Sequence, residues 1–72
     1  MNYTLLLHIC SLLHGNCMTP MSNGVLYPDF ASCLLEGSKS SYNLTIELPK
    51  AEINKHKLYV QFACIEDYEP NT

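Results

Sequence analysis

The side chains with the most chemistry to offer are four cysteines, Cys10, Cys17, Cys33 and Cys64, and three histidines, His8, His14 and His56. Structural zinc sites use pairs of ligands two to four residues apart, and these cysteine spacings contain no such pair. No metal is therefore expected. Four cysteines in a short chain suit disulfides in an oxidising compartment instead. Four allow three pairings. Cys17–Cys33 is favoured because it closes the Pro- and Gly-containing loop between them, which leaves Cys10 and Cys64 either paired or packed as free thiols. Two glycosylation sequons, Asn2-Tyr3-Thr4 and Asn43-Leu44-Thr45, point to the same compartment, with Asn2 and Asn43 as glycan acceptors on a secreted glycoprotein.

The histidines do not complete a catalytic set. A Ser–His–Asp triad in a hydrolase fold needs a strained strand-to-helix elbow for its nucleophile, and none is written here. The three glycines stand apart, so no phosphate-cradling loop exists. A Cys–His nucleophilic pair conflicts with cysteines bound for disulfides. His56, between Lys55 and Lys57, reads as an exposed loop residue. Glu66, Asp67 and Glu69 read as a solvated acidic turn in preference to a calcium site. The expectation is a chain that is no enzyme and carries no cofactor.

Length and charge narrow the field further. At 72 residues there is room for one small domain, and such a domain buries only about 60% of its unfolded surface. With 47% hydrophobic and 15% charged residues the chain can still form a core. A net charge of −3 without arginine argues against nucleic acid and against a polybasic membrane contact. No run of 18 apolar residues is present to span a bilayer.

The elements that must position these groups read as follows. Residues 1–15 are ambiguous. Leu5, Leu6, Ile9, Leu12 and Leu13 fit a helix face, and Tyr3, Leu5, Leu7, Ile9 and Leu13 fit a strand face. A signal-peptide reading lacks a basic flank and a good cleavage site. Residues 16–32 are rich in turn formers, with a brief strand at Val25-Leu26-Tyr27, and residues 36–41 read as a polar turn. Tyr42, Leu44, Ile46 and Leu48 alternate with Asn43, Thr45 and Glu47, which is the pattern of a half-buried strand ended by Pro49. Residues 50–57 form a solvated connection. Leu58, Val60, Phe62 and Cys64 then mark the apolar face of a second strand over residues 57–65, before the acidic turn and the Pro70-Asn71 breaker. Two such strands predict an all-β, antiparallel sandwich. From pattern alone its core is filled; a cavity lined by these side chains would accept an apolar ligand.

The residues from Cys33 to Phe62 add a family signal. They run Cys33-Leu34-Leu35-Glu36-Gly37, then Tyr42-Asn43-Leu44-Thr45-Ile46-Glu47-Leu48-Pro49, then Lys57-Leu58-Tyr59-Val60-Gln61-Phe62. This resembles the ML lipid-recognition family, nearest its Niemann-Pick type C secreted sterol carriers. His14-Gly15 and the loop Met21 to Phe30 are fainter echoes. Leu34 and Asn54 stand where the family has proline, the loop between Gly15 and Cys33 is short, and the family's domain is longer. Residues 16–72 are thus expected to be an incomplete fragment of an immunoglobulin-like β-sandwich.

The resemblance implies noncovalent binding and transfer of a sterol or other apolar lipid between two sheets, in the secreted or lysosomal lumen. Tyr42 would stand near the pocket mouth. Leu44, Ile46, Leu48, Leu58, Val60 and Phe62 would line it, joined by Tyr27 and Phe30 from the loop. A membrane lipid-transfer protein or receptor is the implied protein partner. The alternative within the same fold is a lipid-sensing co-receptor or adaptor, which would show an exposed apolar rim at Val25, Leu26, Tyr27 and Phe30. A shortened chain that binds nothing would instead associate through exposed strand edges.

Overall fold

A computed structural model describes residues 2–67. Ten apolar-rich residues, Asn2–Ser11, form the central strand β1, so the ambiguous first segment takes its strand reading. Strands β2 (Asn16–Cys17) and β3 (Met21–Tyr27) follow, then helices α1 (Phe30–Glu47) and α2 (Lys50–His56), then β4 (Leu58–Asp67). Glu69 and Pro70-Asn71 of the expected acidic turn lie outside the described residues.

The sheet is antiparallel throughout. β4 pairs with β1 along its whole length, from Asn2↔Asp67 to Ser11↔Leu58. On the other side β1 pairs with β2 at Cys10↔Cys17 and with β3 from Tyr3↔Tyr27 to Leu7↔Met21. The expected brief strand at residues 25–27 is the end of a longer one, and the register explains why it looked short. Between Thr4↔Leu26 and Leu6↔Ser22 the β3 strand carries extra residues that bulge from the ladder. Polar side chains build the bulge. Ser22 Oγ accepts the Gly24 N–H (3.1 Å), and Asn23 Oδ1 accepts the Val25 N–H (3.0 Å). Gly24 sits at φ +77°, where a side chain is disfavoured.

Strand side chains alternate between faces. Tyr3, Leu5, Leu7 and Ile9 share one face with Val60, Phe62 and Cys64, their partners or near partners on β4. α1 covers this face. Its inward positions, Phe30, Cys33, Gly37, Leu44 and Leu48, recur at spacings of three, four, seven and four, one stripe of a helix. α1 runs opposite to β4: Cys33 is bonded to Cys64, and Gly37 meets Phe62 one helical turn and two strand residues further on. The match is geometric, since a turn of helix rises about 5.4 Å and two strand residues about 6.7 Å.

This corrects the expected strand over Tyr42 to Leu48 and the expected turn at residues 36–41: residues 36–47 lie in α1, and Leu48 is its C-cap. Leu44 and Leu48 belong to an alternating pattern and to a helical one at once. The tie is broken upstream. Asp29, in extended conformation, caps the helix by accepting the Ser32 N–H at 2.6 Å, and no proline interrupts the chain until Pro49. Pro49 then forces Leu48 to an extended backbone (φ −75°, ψ 141°), which ends α1. The expected loop at residues 50–57 is also mostly helical, since α2 starts directly after Pro49 and ends at Lys57 in the left-handed region (φ 54°).

The architecture is therefore β-rich and antiparallel, as expected, but the layer over the sheet is a helix and not a second sheet, so the expected all-β description does not hold. The fully buried apolar residues among those described are Leu5, Cys10 and Cys33. Two of the three are disulfide sulfurs, so the staples make up much of the core.

The pairing is Cys10–Cys17 and Cys33–Cys64, not Cys17–Cys33. Cys10 and Cys17 stand directly opposite each other across the β1–β2 hairpin. Cys33 lies in the first turns of α1, on the face aimed at β4, where Cys64 meets it. The expectation failed because it treated residues 17–33 as one loop, whereas they contain a strand and a helix start that carry the two cysteines apart.

Candidate functional site

Helix α1 divides the residues expected to line a lipid pocket into two groups. Leu44 and Leu48 from α1 are half-buried and face the sheet side, where Leu58, Val60 and Phe62 of β4 are also half-buried. Tyr42 (68% exposed) and Ile46 (62%) point to solvent, because on a helix they fall away from the Leu44–Leu48 stripe. Tyr42 thus stands at no pocket mouth formed by this interface. Gly37 lets Phe62 come close. A Cβ on Gly37 would lie 2.8 Å from Phe62 Cγ and overlap two further carbons of the ring. At this point the space between helix and sheet is filled by the phenylalanine.

The second group of expected residues gathers at the β3 edge. Tyr27 lies opposite Tyr3 in register, and the Tyr3 ring packs on Phe30 with centroids 5.5 Å apart and planes tilted by 55°. Phe30 is nonetheless 50% exposed, with Leu34 one turn further along α1 also exposed. Leu26 pairs with Thr4, so it points to the opposite face of the sheet; it is 52% exposed, and Val25 in the bulge is 46% exposed. Apolar side chains thus wrap round this edge: Tyr27 and Phe30 on the helix side, Leu26 on the other, Val25 between. Tyr27 keeps a polar tie here, its hydroxyl accepting from Asn23 Nδ2 at 2.7 Å.

The face opposite α1 went unremarked in the sequence. It carries Thr4, Leu6 and His8 of β1 with Gln61, Ala63 and Ile65 of β4, and Leu26 and Ile65 stand exposed on it. Of the even-numbered side chains on this face of β1, Leu6 and Cys10 are apolar while Asn2, Thr4 and His8 are polar.

Titratable groups collect at two places. On the uncovered face His8 Nε2 lies 3.0 Å from Gln61 Oε1, while its buried Nδ1 has no protein partner. A nitrogen of His8 and the sulfurs of Cys10 and Cys17 lie within 4.8 Å of one another, a soft-ligand grouping whose sulfurs are spent in the disulfide. At one end of the sheet His14 Nε2 lies 3.3 Å from His56 Nδ1, with Glu52 Oε1 3.9 Å from His56 Nε2. His56, expected as an isolated exposed residue, is half-buried and partnered. Asp29 is the group whose acidity clearly shifts. The Ser32 backbone N–H it accepts, and then the Ser32 side chain, hold its carboxyl below the usual aspartate value.

Both sequon asparagines, Asn2 and Asn43, are exposed. All four cysteines are oxidised, which fits an oxidising, extracellular-type environment. No helix among the described residues is long and apolar enough to cross a membrane. Comparison with protein-family models, with curated proteins and with solved structures finds no match.

Proposed function

We propose that the chain is a non-catalytic binding module of the secretory route, whose output is a contact with a partner protein at the β3 edge. The observation that carries this reading is the exposure of Val25, Leu26 and Phe30 on a scaffold held by two disulfides. Exposed apolar side chains clustered on a stapled scaffold are a mark of an interaction surface. The partner chemistry follows from the edge. Among the described residues no strand pairs with the outer side of β3, so, apart from the Gly24 and Val25 N–H groups taken by Ser22 and Asn23, its outward backbone groups can pair with an extended segment whose alternate side chains are apolar. This is the adaptor alternative of the ML resemblance, with protein contact as its essential step. Glycans on Asn2 and Asn43, and delivery to the cell exterior or the lysosomal lumen, belong to the same proposal.

The second reading is carriage of a sterol-like lipid. Its support is the convergence of Leu44, Leu48, Leu58, Val60 and Phe62, all only half-buried, along the α1–β4 seam. An apolar ligand would have to part α1 from β4 to enter, and it would do so against the Cys33–Cys64 bond and the Gly37–Phe62 contact. Apolar burial would supply its affinity, but the cost of opening the seam makes this the lesser reading.

One titration separates the two. The oxidised chain is mixed with a fluorescent sterol and, separately, with labelled extended peptides of alternating Val/Thr type. Amide exchange is followed in each case. Saturable peptide binding with protection confined to β3 supports the contact module. Saturable sterol binding with protection along α1 and β4 supports the carrier. Binding of neither removes both readings.

A further inference from the structure

We propose that His14 and His56 form a binding site for a borderline divalent transition-metal ion, with Zn²⁺ as the type ion. The site lies where the β1–β2 turn meets the junction of α2 and β4. Three independent features support it.

The first is the separation of the ring nitrogens. His14 Nε2 and His56 Nδ1 are 3.3 Å apart. Two imidazole nitrogens bound tetrahedrally to one zinc at ~2.0–2.1 Å are separated by about 3.3 Å. Without metal, one of these nitrogens carries a proton and donates it to the other. With metal, both present lone pairs to a point beside the line joining them, which the imidazoles reach by turning about their side-chain bonds. Each metal-bound ring then keeps its proton on the far nitrogen.

The second is an outer partner for one ligand. Metal-bound histidines usually turn the other ring nitrogen to a carboxylate or carbonyl, which fixes ring and tautomer. Glu52 Oε1 faces His56 Nε2 at 3.9 Å, from one turn earlier in α2. The separation is longer than a hydrogen bond, so Glu52 acts here through its charge, which favours the tautomer with the proton on Nε2 and His56 Nδ1 free to ligate.

The third is a scaffold that holds both residues in place. Ser11 is buried, and its hydroxyl accepts the His14 N–H at 3.1 Å while donating to the His56 carbonyl at 2.6 Å. Next to it the Leu12 N–H donates to the Lys57 carbonyl at 3.0 Å, and the Gly15 N–H closes the turn on Ser11 O at 2.9 Å. One buried hydroxyl therefore ties the backbones of two residues 42 positions apart in sequence, so the imidazoles face each other before any ion arrives. Two histidines leave two coordination positions for water or for a partner's side chain. Imidazole ligands select Zn²⁺, Ni²⁺ and Cu²⁺ over Mg²⁺ and Ca²⁺. The site is distinct from the His8–Cys10–Cys17 grouping, whose sulfurs are engaged with each other.

The test is calorimetric titration of the oxidised chain, without thiol reductant, using ZnCl₂, NiCl₂ and MgCl₂. The expected result is one saturable site for Zn²⁺ and for Ni²⁺, with no Mg²⁺ binding. His14→Ala and His14→Gln each weaken it by more than about tenfold, and Glu52→Gln weakens it by about tenfold or less. His8→Ala leaves it unchanged. In the NMR spectrum Zn²⁺ shifts the ring signals of His14 and His56 but not those of His8. The proposal is overturned if Zn²⁺ binds more weakly than about 1 mM, if both His14 variants bind as the parent does, or if His8→Ala removes the site.

Discussion

Against β4, strand β1 pairs residue for residue from Asn2 to Ser11, and α1 is fastened over that half by Cys33–Cys64. Against β3 the same strand pairs at Tyr3, Thr4, Leu6 and Leu7 with a bulge between, and the edge side chains Val25 and Leu26 remain half in water. The two halves share a central strand and differ in what their side chains are asked to do. In the β4 half, the central apolar groups under α1 are used in packing: Leu5 is fully buried, Cys33 is sealed in a disulfide, and Phe62 lies on a glycine. In the β3 half, polar side chains secure the backbone through Ser22, Asn23 and Tyr27, and apolar side chains are left available. Substitutions in the first half should change stability, and those in the second should change binding.

The sharpest way to break this contrast is to remove the staples one at a time. A disulfide stabilises mainly by restricting the unfolded chain, more so for a longer loop. With cysteines 31 apart in sequence, Cys33–Cys64 is worth about 3.7 kcal/mol on that basis, and Cys10–Cys17, 7 apart, about 2.5 kcal/mol. Replacing Cys33 and Cys64 together by alanine should unfold the chain or lower its denaturation midpoint most. Replacing Cys10 and Cys17 should cost less, measured in the same urea series. Equal losses would show that the β4 half is not the dominant one.

Gly37→Ala probes the same half without touching a staple. Alanine favours a helix over glycine by about 1 kcal/mol, so an open site would gain stability. Here the new methyl meets the body of the Phe62 ring, and overpacking costs about 1–3 kcal/mol. A lower melting temperature is expected, partly restored by adding Phe62→Leu. A rise would mean that α1 stands off the sheet.

The β4 half was also the more legible in sequence, though unevenly. The alternation of Leu58, Val60, Phe62 and Cys64 identified β4, because a strand with one face under a cover writes period two directly. The same logic misled at residues 42–48, where seven residues satisfy both periods and the deciding information lies thirteen residues earlier, in the Asp29 cap. Once α1 was missed, the partner of Cys33 could not be read, since Cys33 reaches Cys64 only as part of a helix lying across β4. Residues 2–11 were ambiguous because Leu6 and Cys10 interrupt the polar face of strand β1, so Leu5, Leu6 and Leu7 run on without alternation. Of the rim that the adaptor alternative placed at Val25, Leu26, Tyr27 and Phe30, Val25, Leu26 and Phe30 are exposed and Tyr27 is half-buried, a division set by the bulge and the helix start that flank it. The His14–His56 pair was invisible, because two turns far apart in sequence meet only through the pairing of β1 with β4.

Asp29 stands at the boundary of the two halves, where β3 hands over to α1. Its carboxyl is held below its ordinary value chiefly by the Ser32 N–H. A folded value below the unfolded one means the charge stabilises the fold fully above about pH 4, near the unfolded value. That contribution disappears as the pH falls through the lower folded value. Asp29→Asn retains an acceptor for the Ser32 N–H and removes the charge. Its melting temperature should therefore lie below the parent's at pH 7, and the gap should close as the solution is acidified past the folded value. A gap independent of pH would assign the effect to cap geometry alone.

The smallest expected change in stability falls on Leu26, and its smallness is the point. Leu5 and Leu26 are the same residue type on neighbouring strands, one fully buried and the other 52% exposed. Leu5→Ala would forfeit burial and leave a cavity. Leu26→Thr removes an apolar tip that already touches water, and threonine suits a strand. Surface changes of this kind stay within about 0.5 kcal/mol. Leu26→Thr combined with Val25→Thr should leave the urea midpoint nearly unchanged while abolishing the saturable binding of an extended apolar peptide, read by anisotropy on the same samples. A large loss of stability would place Leu26 in the structural half of the molecule, and unchanged binding would remove the β3 edge as the contact surface.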